Sequence, residues 1–135
     1  MTADARTVPA YDGAITFFYY EQLEPAVCWY RDVIGFEPVM IEDWMALFQI
    51  TPSHRLGLVG STEGSQYPVA GANKGTMLSI ETDRLEEWHQ RLQSAAVQAL
   101  DQGFRPGCRG RTVEFRVRDP GGYYLEFFRW VAPAP

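Results

Sequence analysis

Between residues 13 and 60 the chain changes its hydrophobic period twice. Ile15-Thr16-Phe17-Phe18-Tyr19-Tyr20 is β-branched and aromatic, as a strand requires. Val27, Tyr30, Val33 and Ile34 then recur at helical spacing on one face. Pro25 sits where a first helical turn tolerates it, and Gly35 where a helix stops. Three short strands are predicted next, near 37–42, 45–50 and 55–59. A Gly- and Ser-rich stretch, 61–74, reads as a linker. Beyond it the order returns: a strand at 76–80, a helix striped by Leu85, Trp88 and Leu92, and strands near 97–101, 112–118 and 123–129. Asp83 with Glu86 three residues later resembles a capping box at the start of that helix. Strand, helix and three strands thus occur twice. This predicts an α+β chain with two βαβββ modules, 13–60 and 75–130, between an extension at 1–12 and a Pro- and Ala-rich tail at 131–135.

The last two strands carry the most chemistry. Asp119-Pro120 suits the first places of a type I turn, and a following glycine suits a left-handed bulge. That three-residue loop sets Arg116 opposite Glu126, Arg118 opposite Tyr124 and Glu114 opposite Phe128. Val113, Phe115 and Val117 then share the helix-facing side with Leu125 and Phe127, whereas a two-residue loop would mix charged and apolar sets. A carboxylate among apolar strand residues needs a partner. Arg116 is expected to neutralise Glu126, either as an ordinary cross-strand ion pair or as part of a ligand site.

Composition narrows the partners. A net charge of −5 with twelve scattered basic residues gives no surface for nucleic acid. No apolar stretch reaches the roughly 20 residues of a membrane span, and the N-terminus lacks the apolar core of a signal peptide. Cys28 and Cys108 lie far apart without metal-ligand spacing, which reads as a reduced pair in a cytoplasmic protein. Phosphate-binding glycine loops, nucleophile elbows and Cys-x-x-Cys motifs are missing from the sequence.

Two segments carry a family resemblance. Gln22 to Phe36, with its Trp29-Tyr30 pair and closing Ile34-Gly35-Phe36, resembles the first helix of the vicinal oxygen chelate superfamily. That superfamily holds glyoxalase I, bleomycin-resistance proteins and extradiol dioxygenases. Arg118-Asp119-Pro120-Gly121-Gly122-Tyr123-Tyr124-Leu125-Glu126 is similar to its second signature. With the repeat, the resemblance covers about residues 13–130. It implies curved sheets around a central cavity, and a homodimer whose modules share a cleft.

In metal-using members a His or Glu on each first strand and a Glu on each last strand surround a divalent ion. Matched position by position, those places fall at Ile15, at or beside Gly75, at Glu126, and near 57–59. Only Glu126 offers a donor, so a metal-free site is expected, a divalent ion being the alternative cofactor. Thr16, Glu21 and His54 are the nearest substitutes, and His89 is read as solvent-facing. By strand alternation Ile15, Phe17, Tyr19, Met77 and Ser79 face the cavity, Tyr124 and Phe128 flank Glu126, and Trp44 and Phe48 wall the first module. Trp29 and Trp88 are assigned to helix packing. The resemblance therefore points to the metal-free bleomycin-resistance branch, binding a small aromatic or hydrophobic molecule for sequestration or carriage. The runner-up is a lyase, isomerase or dioxygenase of the same superfamily, using a metal or Glu126 as general base with Tyr19 or Tyr124 as hydrogen-bond donor. A protein-interaction module with a filled cavity is the third class.

Overall fold

The computed structural model describes residues 6–61, 63–131 and 133–135. In the first module, strand β1 (Ala14–Tyr20) leads into helix α1 (Leu23–Cys28), which continues as a π-helical segment, Trp29–Ile34. Three strands follow: β2 (Glu37–Ile41), β3 (Met45–Thr51) and β4 (His54–Gly60). The second module holds β5 (Met77–Glu81), α2 (Leu85–Ser94), β6 (Arg105–Gly107), β7 (Thr112–Arg118) and β8 (Tyr124–Trp130). Two four-stranded sheets result, ordered β1-β4-β3-β2 and β5-β8-β7-β6. In each, the first strand runs parallel to the last, and the remaining pairs are antiparallel. The sequence-predicted α+β chain of repeated βαβββ order is the one observed. No helix among the described residues is long and apolar enough to cross a membrane.

Alternation decides what each sheet buries. Phe18, Tyr20, Ala46, Phe48, Leu56 and Leu58 lie beneath the first helix with Ala26, Val27, Tyr30 and Ile34. Leu78, Phe115, Val117, Leu125 and Phe127 lie beneath the second with Leu85 and Leu92, and Trp88 stacks on Phe127 with ring centroids 5.0 Å apart. Each sheet thus carries a helix on one face and leaves the other open. The edges are blunted: β2 has Pro38 and a register shift between Pro38 and Met40, and β6 is three residues long with Pro106 in its middle.

Two local expectations change. No strand forms at 97–101, where Ala96 and Ala99 take positive φ (53° and 59°) and only Leu100 bridges to Val117. The hairpin partner of β7 is β6, further along the chain. Asp83 does not cap α2. The Thr82 hydroxyl accepts from the Arg84 backbone N–H at 3.0 Å, and the helix begins one residue later.

The modules meet at one carboxylate. Asp119 is 5% exposed. Its Oδ2 accepts from the Tyr20 hydroxyl of β1 and, at 2.7 Å, from the Tyr30 hydroxyl of the π-helical segment. Its Oδ1 accepts the backbone N–H groups of Gly121 (2.8 Å) and Tyr123 (2.9 Å). Tyr123 continues the join, stacking on Phe18 at 4.1 Å and exchanging hydrogen bonds with the Tyr19 backbone at 3.0 and 3.1 Å. Burial, and next to it the neighbouring charges, push the Tyr20 and Tyr30 phenols well above their ordinary value, so both remain protonated donors. Gly122 at φ 95° closes the Asp119–Tyr123 turn in the left-handed bulge that the sequence predicts. An Asp119→Ala variant leaves two buried hydroxyls without their acceptor, at about 1–3 kcal/mol each. Chemical denaturation should show a loss of about 3 kcal/mol. A change below about 1 kcal/mol would contradict this role for the carboxylate.

Candidate functional site

The open face of the second sheet carries the polar residues. Arg116 lies opposite Glu126, Arg118 opposite Tyr124 and Glu114 opposite Phe128, as the bulged turn requires. The expected Arg116–Glu126 ion pair does not form. Glu126 Oε1 instead accepts from the hydroxyl of Ser79, its direct neighbour on β5, at 2.7 Å. The Arg116 guanidinium turns onto the Tyr124 ring, 5.0 Å from its centroid. Arg118 lies 4.6 Å from the same ring and donates to its hydroxyl. A short hydroxyl on the adjacent parallel strand reaches the carboxylate directly, while the long arginine finds an aromatic face two residues away. Among the described residues, the buried side-chain polar atoms without a hydrogen-bond partner are Thr112 Oγ1, Arg116 Nε and Arg118 Nε, all on β7.

Glu114 adds a second carboxyl beside Glu126. Burial raises its pKa, and the charge and hydrogen bond of Glu126 raise it further. Arg105, paired with it across β6–β7 at 3.7 Å, opposes the rise, while Asp101 adds to it. Sequence reasoning named Glu126 alone. Glu114 was findable, because it shares the alternation of Arg116 and Arg118.

The first sheet's open face is apolar. Ile15, Phe17 and Tyr19 alternate onto it, with Ile15 and Phe17 still 42% and 41% exposed. The Phe17 ring lies across Gly57, where any Cβ would overlap it at 2.5 Å. Trp44 stands 41% exposed in the β2–β3 turn and lines a recess of about 230 Å³ with Phe17, Tyr19, Met45 and Val59. Phe48 is not part of this wall. It points to the helix side, fully buried, with its ring 6.3 Å from that of Tyr30. Sequence reasoning placed its strand, but counted Trp44 and Phe48 on one wall although Trp44 belongs to the turn.

On the second sheet, Met77, Arg116 and Tyr124 line a cleft of about 670 Å³ with residues 72–76. Lys74, which sequence reasoning passed over as linker, and Thr76, which it read as the first residue of the strand, belong to it. Phe128 is half-buried, its ring edge-on to Trp130 at 5.6 Å. The two sheets do not close on each other, and the cleft on the second sheet shares no lining residue with those on the open face of the first.

The donor set does not fit a divalent ion. Gly75 lies in the turn before β5 at φ 71°, and Met77 and Ser79 are the β5 residues on the side of Glu126. Ile15, Phe17, Gly57 and Val59 fill the matching face of the first module. Among the described residues no group of three or more His, Cys, Asp and Glu side chains is placed to hold a metal. His54 Nε2 is engaged with Thr16 Oγ1 at 3.1 Å. His89, expected to face solvent, donates from Nε2 to the Asp101 carbonyl at 2.7 Å and lies edge-on to Phe104 and Phe115. The cysteines are free.

The fold recurs among solved structures. A glyoxalase/bleomycin resistance protein/dioxygenase from Nocardioides superposes with a TM-score of 0.74 at 17% identity, over 96% of this chain and 89% of that one. Lactoylglutathione lyase from Agrobacterium tumefaciens gives 0.67 at 22% identity, over 91% and 96%. TioX from Micromonospora sp. ML1 gives 0.69 at 19%, over 88% and 98%. At these identities the likeness is one of fold. No curated relative matches the chain significantly. The family model of the glyoxalase/bleomycin resistance protein/dioxygenase superfamily matches residues 14–127, from the first residue of β1 into β8. With its paired βαβββ modules and its Asp-Pro-Gly-Gly turn ahead of Glu126, the chain belongs to that superfamily.

Proposed function

We propose that this protein binds a small, planar or hydrophobic molecule on its open sheet faces without a metal ion, as a sequestering or carrier protein. The supporting observation is the set of large apolar side chains left on those faces: Ile15, Phe17, Trp44 and Met77 are each 41–44% exposed. A chain with a well-filled core has no folding reason to leave them in water, and such patches mark binding surfaces. A homodimer belongs to the same reading, since a second copy laid over the open faces would turn them into an enclosed cavity.

The second reading is proton-transfer catalysis, in which Glu126 acts as base. It is favoured by the Glu114–Glu126 pair, since burial and the neighbouring carboxyl raise the pKa of Glu114 and bring two carboxyls to one place.

Two experiments test these readings. Calorimetric titration with 2-naphthamide, a neutral fused-ring probe, should show saturable binding. Trp44→Ala or Met77→Ala should weaken it about fivefold, near 1 kcal/mol, according to which face holds the ring. Unchanged affinity in both variants would contradict the binding reading. For the carboxyl pair, a raised pKa in the folded state means that the native protein holds the Glu114 proton more tightly than the unfolded chain. Stability from this group therefore falls as pH rises above the ordinary carboxyl value of 4.5. The thermal midpoint of wild type should fall more between pH 4.5 and 7 than that of Glu114→Gln. Identical slopes would remove the pair and the second reading with it.

A further inference from the structure

We infer that the cleft beside β5 is an oxyanion subsite in which Arg116 takes the carboxylate of a planar carboxylic-acid ligand. This rests on the ligand-binding reading above and names the chemical class that the second sheet selects.

Of the charged wall residues of the 670 Å³ cleft, Arg116 is the one whose head group has no polar partner among the described residues. Its guanidinium makes no hydrogen bond or ion pair with the described residues, its Nε is buried without an acceptor, and its side chain lies against the Tyr124 ring at 5.0 Å. Lys74, the other cation of the lining, is committed to the Val69 carbonyl. A guanidinium stays charged at any working pH, and holding its Nε–H out of water without an acceptor is costly. The acidic group opposite it across the strands, Glu126, is held by the Ser79 hydroxyl and lies beside Glu114, so it does not relieve this. Arg118 places a second positive charge 4.6 Å from the same ring.

The shape of the site selects among anions. The Tyr124 ring holds Arg116 Cζ 5.0 Å from its centroid, and the planar guanidinium fork matches a carboxylate in two parallel hydrogen bonds. The remaining wall is Met77 and the Tyr124 ring, with Thr76 beside them, which suits the flat apolar body of an aromatic acid. An amine would meet two arginines instead.

The test compares 2-naphthoate with 2-naphthamide by calorimetry at low salt, on wild type, Arg116→Met and Arg116→Lys. Wild type is expected to bind the acid about tenfold more tightly than the amide, the scale of one charge-assisted hydrogen bond. Raising the ionic strength should reduce that preference. Arg116→Met should bring the two affinities together, while Arg116→Lys should keep part of the difference. Equal affinities in wild type, or a preference that survives Arg116→Met, would overturn the subsite and leave the binding reading standing. Failure of both probes to bind would overturn the two together.

Discussion

One buried carboxylate, that of Asp119, ties the two modules of this fold together. Asp119 is buried, and four donors satisfy its oxygens: two phenols from the first module and two backbone N–H groups from its own turn. The cost of removing such a charge from water is offset only when its lone pairs are filled, and here the filling groups come from both modules. The same bonds set the turn. Once Gly121 and Tyr123 donate to Asp119, the loop has one length, and β7 and β8 have one register. That register sends Phe115, Val117, Leu125 and Phe127 to the helix and Glu114, Arg116, Arg118 and Glu126 to the open face.

The two open faces differ in chemistry. The first presents Ile15, Phe17, Tyr19 and the Trp44 ring, and the second presents charged groups around Tyr124. Carboxyls gather toward β6, where Arg105 meets Glu114, and free arginine donors gather toward the β7–β8 turn. The planar acid proposed above would meet both an apolar wall, Met77 and Tyr124, and a cation, Arg116, within the cleft of the second sheet. Of the positions that the family resemblance assigns to metal ligands, Ile15, Gly75 and residues 57–59 carry no donor side chain, and Glu126 accepts from the Ser79 hydroxyl.

The fold was legible because its signals are local and periodic. Tyr30 and Ile34 at helical spacing, Gly35 as a stop and the Asp119-to-Tyr123 turn each act within a few residues, and each places its element as read. The cross-strand register followed from requiring one apolar face. The site was legible only to the level of faces. Alternation puts Arg116 and Glu126 side by side, but which of several neighbours a long side chain chooses depends on Ser79 and Tyr124, which come from other parts of the sheet. Phe48 shows the same limit. Its strand was placed correctly, and its face was mistaken because Trp44 belongs to the turn and Phe48 to the strand interior. Asp119 itself looked like a turn residue, and nothing in the local sequence says that Tyr20 and Tyr30, about a hundred residues away, donate to it.

Metal independence of binding is the claim most directly open to test. Elemental mass spectrometry on tag-free protein purified without chelator should be paired with 2-naphthamide titrations before and after exhaustive chelation. Far less than one transition metal per chain, with an affinity that chelation leaves unchanged, is the result expected. About one zinc, nickel, iron or manganese per chain, whose removal abolishes binding and whose return restores it, would contradict the account.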